Sequence, residues 1–373
     1  MKKKINFKNL FIKSKKTNIW LILSTFLLVL IGFIFVYSAS SYSAQLNYGN
    51  KYYFLTKQII GALIGVLAMI LTSKIDYRIY QKYKLPILIL GLILLAVVFI
   101  PGLGVSNYGA RRWIRLPGFT IQPSEIAKFC FVIFCAQYLA KNKDIITTFK
   151  GILPILLIGG VMCVLIMLEP NMSITICVGL VMLIMLFVGG ARIKHFLILS
   201  IPIICLGVML VIIEPYRMQR LIAFINPWAN PQGEGYQLIQ SLYSLSGGGL
   251  FGVGLFNSRQ KYLFLPFSES DFIFSIIGEE TGFVGCLVVI LLFTTLIYQG
   301  IKIAYQAKDR FGCYLASGII AIIGIQVLIN IAVVSASIPP TGVPLPFISA
   351  GSTALVVFMA SIGILLNIHK QSC

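Results

Sequence analysis

The chain has 373 residues, 58% of them hydrophobic, with a formal net charge of +19 and a mean hydropathy of +0.93. Soluble domains carry an apolar share of about 45–50%, so a soluble globular fold is excluded. The basic residues are dispersed among apolar runs, which argues against a nucleic-acid surface. No Walker or dinucleotide glycine motif occurs, which argues against ATP-driven pumping.

In chain order, the basic stretch MKKKINFKNLFIKSKK leads into the first apolar run with no small-residue cleavage site. An uncleaved first helix is predicted rather than a signal peptide. Uncharged runs of roughly 18–20 residues fit the hydrocarbon thickness of a bilayer. Spans are expected at about 18–38, 53–73, 85–101, 123–140, 151–168, 173–190, 196–213, 275–298, 311–335 and 347–368.

Twenty of the thirty Lys and Arg residues fall in 1–17, 74–84, 141–150, 191–195, 299–310 and the C-terminal tail, with only Asp76, Asp144 and Asp309 among the acids. The other side carries ten basic residues and eight acids. That positive-inside asymmetry places both termini in the cytoplasm, and makes the net charge mostly a matter of topology and anionic-lipid contact. The predicted fold class is an all-α integral membrane protein of ten transmembrane helices. A basic tail covers 1–17, a membrane domain 18–368, and a cytoplasmic tail 369–373, with one long extracytoplasmic loop at about 214–274. His195 and His369 fall at predicted cytoplasmic ends, so no outward histidine cluster is expected. The eight cysteines include no CxxC pair and read as small buried hydrophobes.

Three outward segments carry the unusual chemistry. The first, 102–128, places Arg111, Arg112 and Arg115 around Trp113 and opens a helix at Gln122-Pro123-Ser124. Ser124 or Gln122 is expected to cap it, with Glu125 favoured near its positive end. Glu125 and Lys128 share a helix face, and the cost of charge against lipid favours a wet cavity over a surface ion pair.

The second, 214–274, is too long for a plain connection. Within it YQLIQSLYSL (236–245) reads as a short amphipathic helix, and SGGGLFGVGLFN as a glycine-rich turn lying on the membrane. Those glycines suit phosphate cradling and tight packing equally, and Arg259 and Lys261 after them would neutralise a diphosphate. Glu269, Asp271, Glu279 and Glu280 then crowd into twelve residues at the edge of the next span. A helix starting near Ser270 would put Asp271 in its first turn, atop a small-residue stripe at 275, 278, 282 and 285. Such carboxylates point to a lipid-facing enzyme site or a transport site. The third segment, 336–353, holds four prolines and two glycines. It reads as a rigid re-entrant-type turn walling the same cavity.

Together RRWI, QPSEIAK, INPWANPQGEGYQLIQSLYSL, GGGLFGVGLFNSRQK, DFIFSIIGEETGFVG and TGVPLPFIS, in this order, resemble the SEDS family of shape, elongation, division and sporulation proteins (FtsW, RodA and SpoVE) over essentially the whole chain. The NSRQK form is nearer the FtsW and SpoVE type. The resemblance implies a peptidoglycan glycosyltransferase that polymerises lipid II, an undecaprenyl-diphosphate-linked disaccharide-pentapeptide. It would act at the outer face of the bacterial plasma membrane during division or sporulation, with a class B penicillin-binding protein crosslinking the strands. It also implies Asp271 as the essential aspartate and Glu125 with Lys128 as a cavity pair. Two stretches depart from the family pattern. Pro266-Phe267-Ser268-Glu269-Ser270 stands where Pro-Glu-x-His/Gln-Thr is usual, and Ser349-Ala350-Gly351-Ser352-Thr353 where Ser-Tyr-Gly-Gly-Ser is usual.

Joining sugars needs a base for the acceptor hydroxyl, here Asp271. A lipid diphosphate is already a good leaving group, so no second carboxylic acid is required, unlike in glycosidases. The site needs cations instead. Arg111, Arg112, Lys128, Arg259 and Lys261 are the expected set, with or without a divalent ion (Mg or Mn). A lipid II flippase and a non-catalytic scaffold of the division or elongation machinery are the rival readings.

Overall fold

The computed structural model describes residues 17–107, 110–116 and 119–372; nearly all of the basic tail, residues 1–16, lies outside them. Four helices come first: α1 (Ile19–Tyr48), α2 (Tyr53–Lys74), α3 (Arg78–Lys82) and α4 (Lys84–Val97). A three-stranded antiparallel meander follows, β1 (Gly104–Asn107), β2 (Ala110–Leu116) and β3 (Phe119–Ile121). The remaining helices are α5 (Pro123–Lys141), α6 (Phe149–Leu168), α7 (Met172–Val188), α8 (Ile193–Ile213), α9 (Pro215–Ile225), α10 (Tyr236–Gly248), α11 (Ile273–Gln306), α12 (Arg310–Val334) and α13 (Ser352–Ser372).

Among the described residues, α1, α2, α6, α8, α11, α12 and α13 are long and apolar enough to cross a membrane, and α4 and α7 are shorter apolar helices. These nine and α5 occupy the ten segments picked out by hydropathy. The fold is thus a multi-pass helical membrane bundle. Its core runs along α5 and α12, where Phe131, Val132, Ala136, Ile322 and Ile323 are all buried. Gly61 and Gly65 bring α2 against α13 so closely that a Cβ at either would lie within 3.1 Å of Ser352 or 2.5 Å of Met359 Sδ. Small residues four apart allow that approach. By contrast α8 contributes no buried residue across its apolar window.

At the end of the bundle away from Asp271, Asp309 caps α12 through the Gly312 amide and accepts from Tyr77 (2.5 Å) and from Arg78 (3.2 Å). Gln371 of α13 bonds Asp76 and Arg78 there. The network ties three chain segments at one surface.

The long segment 214–274 forms a hairpin joined into α11. The helix α10 runs parallel to α11, with Ser241 Oγ 2.8 Å from Ser275 Oγ and Ser244 Oγ donating to Ser275 O. Gly282 breaks the φ/ψ run of α11 (φ 67°, ψ −164°). The break releases the carbonyls of Glu279 and Glu280, which take the amides of Val253 and Gly254 at 2.9 and 3.1 Å. It also releases the amides of Phe283 and Val284, which go to the carbonyls of Gly249 and Leu250 at 2.9 and 3.1 Å. Backbone at membrane depth must be satisfied by protein or water, and four exchanged bonds do so here. The turn therefore packs beside α11, with Leu250 and Phe251 exposed at its tip.

The small-residue stripe is the contact surface for this hairpin. Gly278 faces Leu245, Gly248 abuts the Gly278 carbonyl, and Gly282 sits against Leu250 and Gly252. Glu279 accepts from Ser258 Oγ (2.5 Å), Ser244 Oγ and the Arg259 amide. Glu280 accepts from Ser38 Oγ, Lys261 Nζ (3.2 Å) and the Ser258 amide. Those two acids fasten the returning chain to α1 and α11.

Two outcomes test this packing. Gly282→Ala places a Cβ about 2.5 Å from Gly252 N and Leu250 C, adding positive-φ strain to overpacking. It should cost about 2–4 kcal/mol, read as a lower unfolding midpoint in detergent. The buried Glu125–Lys128 pair, at 2.9 and 3.0 Å and 1% exposed on each side, should be strongly coupled. Lys128→Met alone should cost about 3–5 kcal/mol by stranding a charge, while the Glu125→Gln, Lys128→Met double variant loses no more than either single change. Additive losses in the cycle would show the two side chains to be independent.

Candidate active site

Asp271 lies in the turn that precedes α11, one residue before the N-cap Phe272, and the first helical turn contains no acid. The expected start near Ser270 is thus corrected to Ile273. Hydrogen bonds to three other parts of the chain hold residues 268–271 before the helix can begin. Ser268 Oγ donates to Ala39 O of α1, and the Ala350 amide to Glu269 O. Ser349 Oγ donates to Ser270 O at 2.6 Å, and Asn330 Nδ2 of α12 to Asp271 O at 2.8 Å. Asn330 Nδ2 also reaches Val343 O (2.7 Å), and Ser349 Oγ accepts the Leu345 amide (2.8 Å). The proline-rich segment is therefore bolted to the Asp271 turn. Gly342 comes so near that a Cβ there would lie 2.9 Å from Asp271 Oδ2.

Asp271 opens into a cavity of about 1420 Å³. Its cationic lining comes from Lys57 of α2, Arg112 of β2, and Arg217 and Arg220 of α9. Arg112 donates from Nε to Glu169 O (3.3 Å) and from Nη2 to Pro170 O. Arg220 donates to Pro340 O at 3.2 Å. Burial, reinforced by the neighbouring Glu269 charge, pushes the Asp271 carboxyl up to about 6, while Arg112 and Arg220 act in the opposite direction. Burial raises Glu269 as well. At neutral pH Asp271 is ionised, yet basic enough to take a proton.

The sequence-expected cations divide sharply. Arg112 lines the cavity with Trp113, whereas Arg111 is exposed and lies outside the lining. Arg259 is exposed and gives its amide to Glu279. Lys261 is 5% exposed, bound to Glu280, Ser38 Oγ and Phe256 O. It neutralises an interior acid, and neither it nor Arg259 lines the cavity. Glu125 and Lys128 lie below the floor: Gln122 and Ile126 line it, while the pair is enclosed by helices with Lys128 Nζ over the Phe358 ring. Gln122 is the N-cap of α5 without a side-chain cap bond, and Ser124 Oγ is buried without a partner among the described residues.

Among the described residues no three His, Cys, Asp or Glu converge on a metal-sized site. Asp271 and Glu269 are two carboxylates at the cavity. Magnesium is commonly held by one or two carboxylates plus substrate phosphates, and that pair suits such an ion arriving with a diphosphate.

Arg217, Arg220 and Asn330 escaped the sequence reading. PYRMQRLIAFI carried the signal for the first two, since proline opens the helix and cations three apart share a face. Asn330 is a lone amide inside an apolar span, a pattern that marks a buried partner.

Comparison with known proteins agrees with this geometry. The family model of FtsW, RodA and SpoVE, described as cell cycle protein, matches residues 18–373. Stage V sporulation protein E of Bacillus subtilis is 42% identical over 96% of this chain and 99% of its own length. The probable peptidoglycan glycosyltransferase FtsW of Geobacter metallireducens is 38% identical over 98% of each chain. Among solved structures, a chain from a peptidoglycan synthase complex that coordinates polymerization and crosslinking superposes with a TM-score of 0.79 at 25% identity, covering 95% of this chain and 98% of that one. The rod shape determining protein RodA of Thermus thermophilus shares the fold, with a TM-score of 0.70 at 23% identity over 95% and 97%. A multi-pass bundle and a family match over nearly its whole length place the chain in the FtsW/RodA/SpoVE family of cell cycle proteins.

Proposed function

We propose that this chain is a peptidoglycan glycosyltransferase that polymerises lipid II at the outer face of the bacterial plasma membrane. The ten-span topology of the sequence reading has both termini inside and the Asp271 cavity outside. The observation that carries the proposal is Asp271, its carbonyl held by Asn330 and that of Ser270 by Ser349, lining one cavity with Arg112, Arg217 and Arg220.

In the reaction, the acceptor sugar's hydroxyl oxygen attacks the anomeric carbon of the donor while Asp271 takes its proton. The bond from that carbon to the diphosphate oxygen breaks, and the lipid diphosphate leaves with the electron pair. Attack opposite the leaving group inverts the donor's α-linkage to a β-linkage. The three guanidiniums that line the cavity would stabilise the charge that develops on the leaving group. A divalent ion bound by Asp271 and Glu269 would add Lewis-acid neutralisation of the same charge. The rest of the lining mixes apolar and prolyl surface with hydroxyls and amides such as Gln122, Asn171 and Thr341, which suits sugars and a lipid head.

Purified chain given labelled lipid II decides among the readings. Glycan polymer in detergent supports the enzyme, translocation without polymer supports a flippase, and neither supports a scaffold. Asp271→Asn should lower polymerisation by roughly 10²–10⁴ with an unchanged unfolding midpoint. A variant turning over normally would transfer the role to Glu269. Because Asp271 must be ionised to act, wild-type rate should rise as pH passes through about 6 and fall away below it.

A class B penicillin-binding protein is the proposed partner, in line with the similar chain solved in a complex that coordinates polymerization and crosslinking. This chain's product should be uncrosslinked and its formation insensitive to β-lactams. Adding the cognate transpeptidase should raise polymerisation by favouring the active arrangement of 214–274. Equal rates with and without it, at saturating lipid II, would rule out activation.

A further inference from the structure

The mechanism above makes no use of Glu169, the residue that ends α6. Its side chain is fully buried, and neither carboxyl oxygen has a hydrogen-bond partner among the described residues. Its own backbone carbonyl, with that of Pro170, receives Arg112 of β2. One guanidinium therefore stands electrostatically between two carboxyls, Glu169 on the buried side and Asp271 across the cavity.

We propose that Glu169 is a positioning residue that, as the neutral acid, leaves the charge of Arg112 to the substrate diphosphate, and that its ionisation sets an alkaline limit on diphosphate binding. The assignment rests on the reading of this cavity as the lipid II site. An ionised carboxylate with no hydrogen bonds in such surroundings is costly, so the proton stays on at neutral pH. Burial pushes Glu169 up to about 8, with Arg112 opposing that rise. Once ionised, Glu169 puts a second negative charge within the influence of Arg112, and a charge-assisted bond to it would compete with the substrate for the guanidinium. Arg112 would then be neutralised from behind.

The groups around Glu169 leave this titration to Arg112. From α9, Arg217 reaches Met167 Sδ on α6. The α6 and α7 helices supply the thiols Cys163 and Cys177, farther along each helix, and Lys150 at the opposite end of α6. The acid limb of the rate profile would belong to Asp271 and the alkaline loss of affinity to Glu169.

The test is equilibrium binding of undecaprenyl diphosphate to the full chain in detergent, from pH 7 to pH 9.5. The ligand's own ionisation is common to all variants and cancels between them. Wild-type affinity should fall roughly tenfold, the worth of one charge-assisted hydrogen bond, centred near about 8. Glu169→Gln, a neutral mimic of the protonated acid, should hold its affinity across that range, as should the apolar Glu169→Met if the amide disturbs folding. Arg112→Gln should bind weakly at every pH and be indifferent to a second change at Glu169. A Glu169→Gln curve that tracks the wild-type fall, or a wild-type curve that does not fall, overturns the proposal. Binding requires no turnover, so a chain that binds but never polymerises would sink the functional reading and still leave this proposal to the binding curves.

Discussion

Taking a carboxylate out of water costs several kilocalories per mole unless hydrogen bonds and an opposite charge replace its hydration. Glu279 and Glu280 meet that demand with hydroxyls and amides from chain returning out of the 249–254 turn, and with Lys261. The same demand pulls residues 258–261 against α1 and α11. From there the chain has few degrees of freedom left before Ser268 is fixed on Ala39 O and Ser270 on Ser349. The position of Asp271 thus follows from two acids that lie outside the cavity lining.

Charged groups consequently sort by whether water reaches them. Glu125, Glu279 and Glu280 are enclosed and accept from donors of the packed chain around them, so they act as fasteners. Asp271 borders the cavity with its carboxylate toward open space, and its neighbours there are guanidiniums brought from β2 and α9. Those elements lie far apart in sequence and meet only because the meander and α9 fold over the same mouth. Gly342 leaves the carboxylate room that any other residue would fill.

The sequence made the bundle legible because hydrocarbon thickness dictates run length, and every expected run is a helix. Asp271 and the proline-rich wall were legible for a related reason: charge and broken backbone at membrane depth need a purpose. The cation set was not. Lys261 and Arg259 carry the right charge, but composition cannot tell a lysine that neutralises Glu280 from one that meets a ligand. Arg217 and Arg220 sit in an eleven-residue helix whose register decides the face they share, and the reading gave that stretch no helix. Residues 104–107, 110–116 and 119–121 form strands through pairing across the meander, which local pattern leaves undetermined. Glu169 stands beside a proline at a helix end, where a solvated acid is the ordinary expectation; only its enclosure reveals otherwise.

The joint at Gly282 also bears on how the chain is made. Residues 249–254 find their backbone partners in α11, which leaves the ribosome after them. Until Phe283 and Val284 are in place, the turn would enter hydrocarbon with bare amides and carbonyls, a state the bilayer penalises heavily. It has to wait on the aqueous side while α11 is threaded, and then settle beside it. At this one point the order of insertion runs opposite to the order of synthesis.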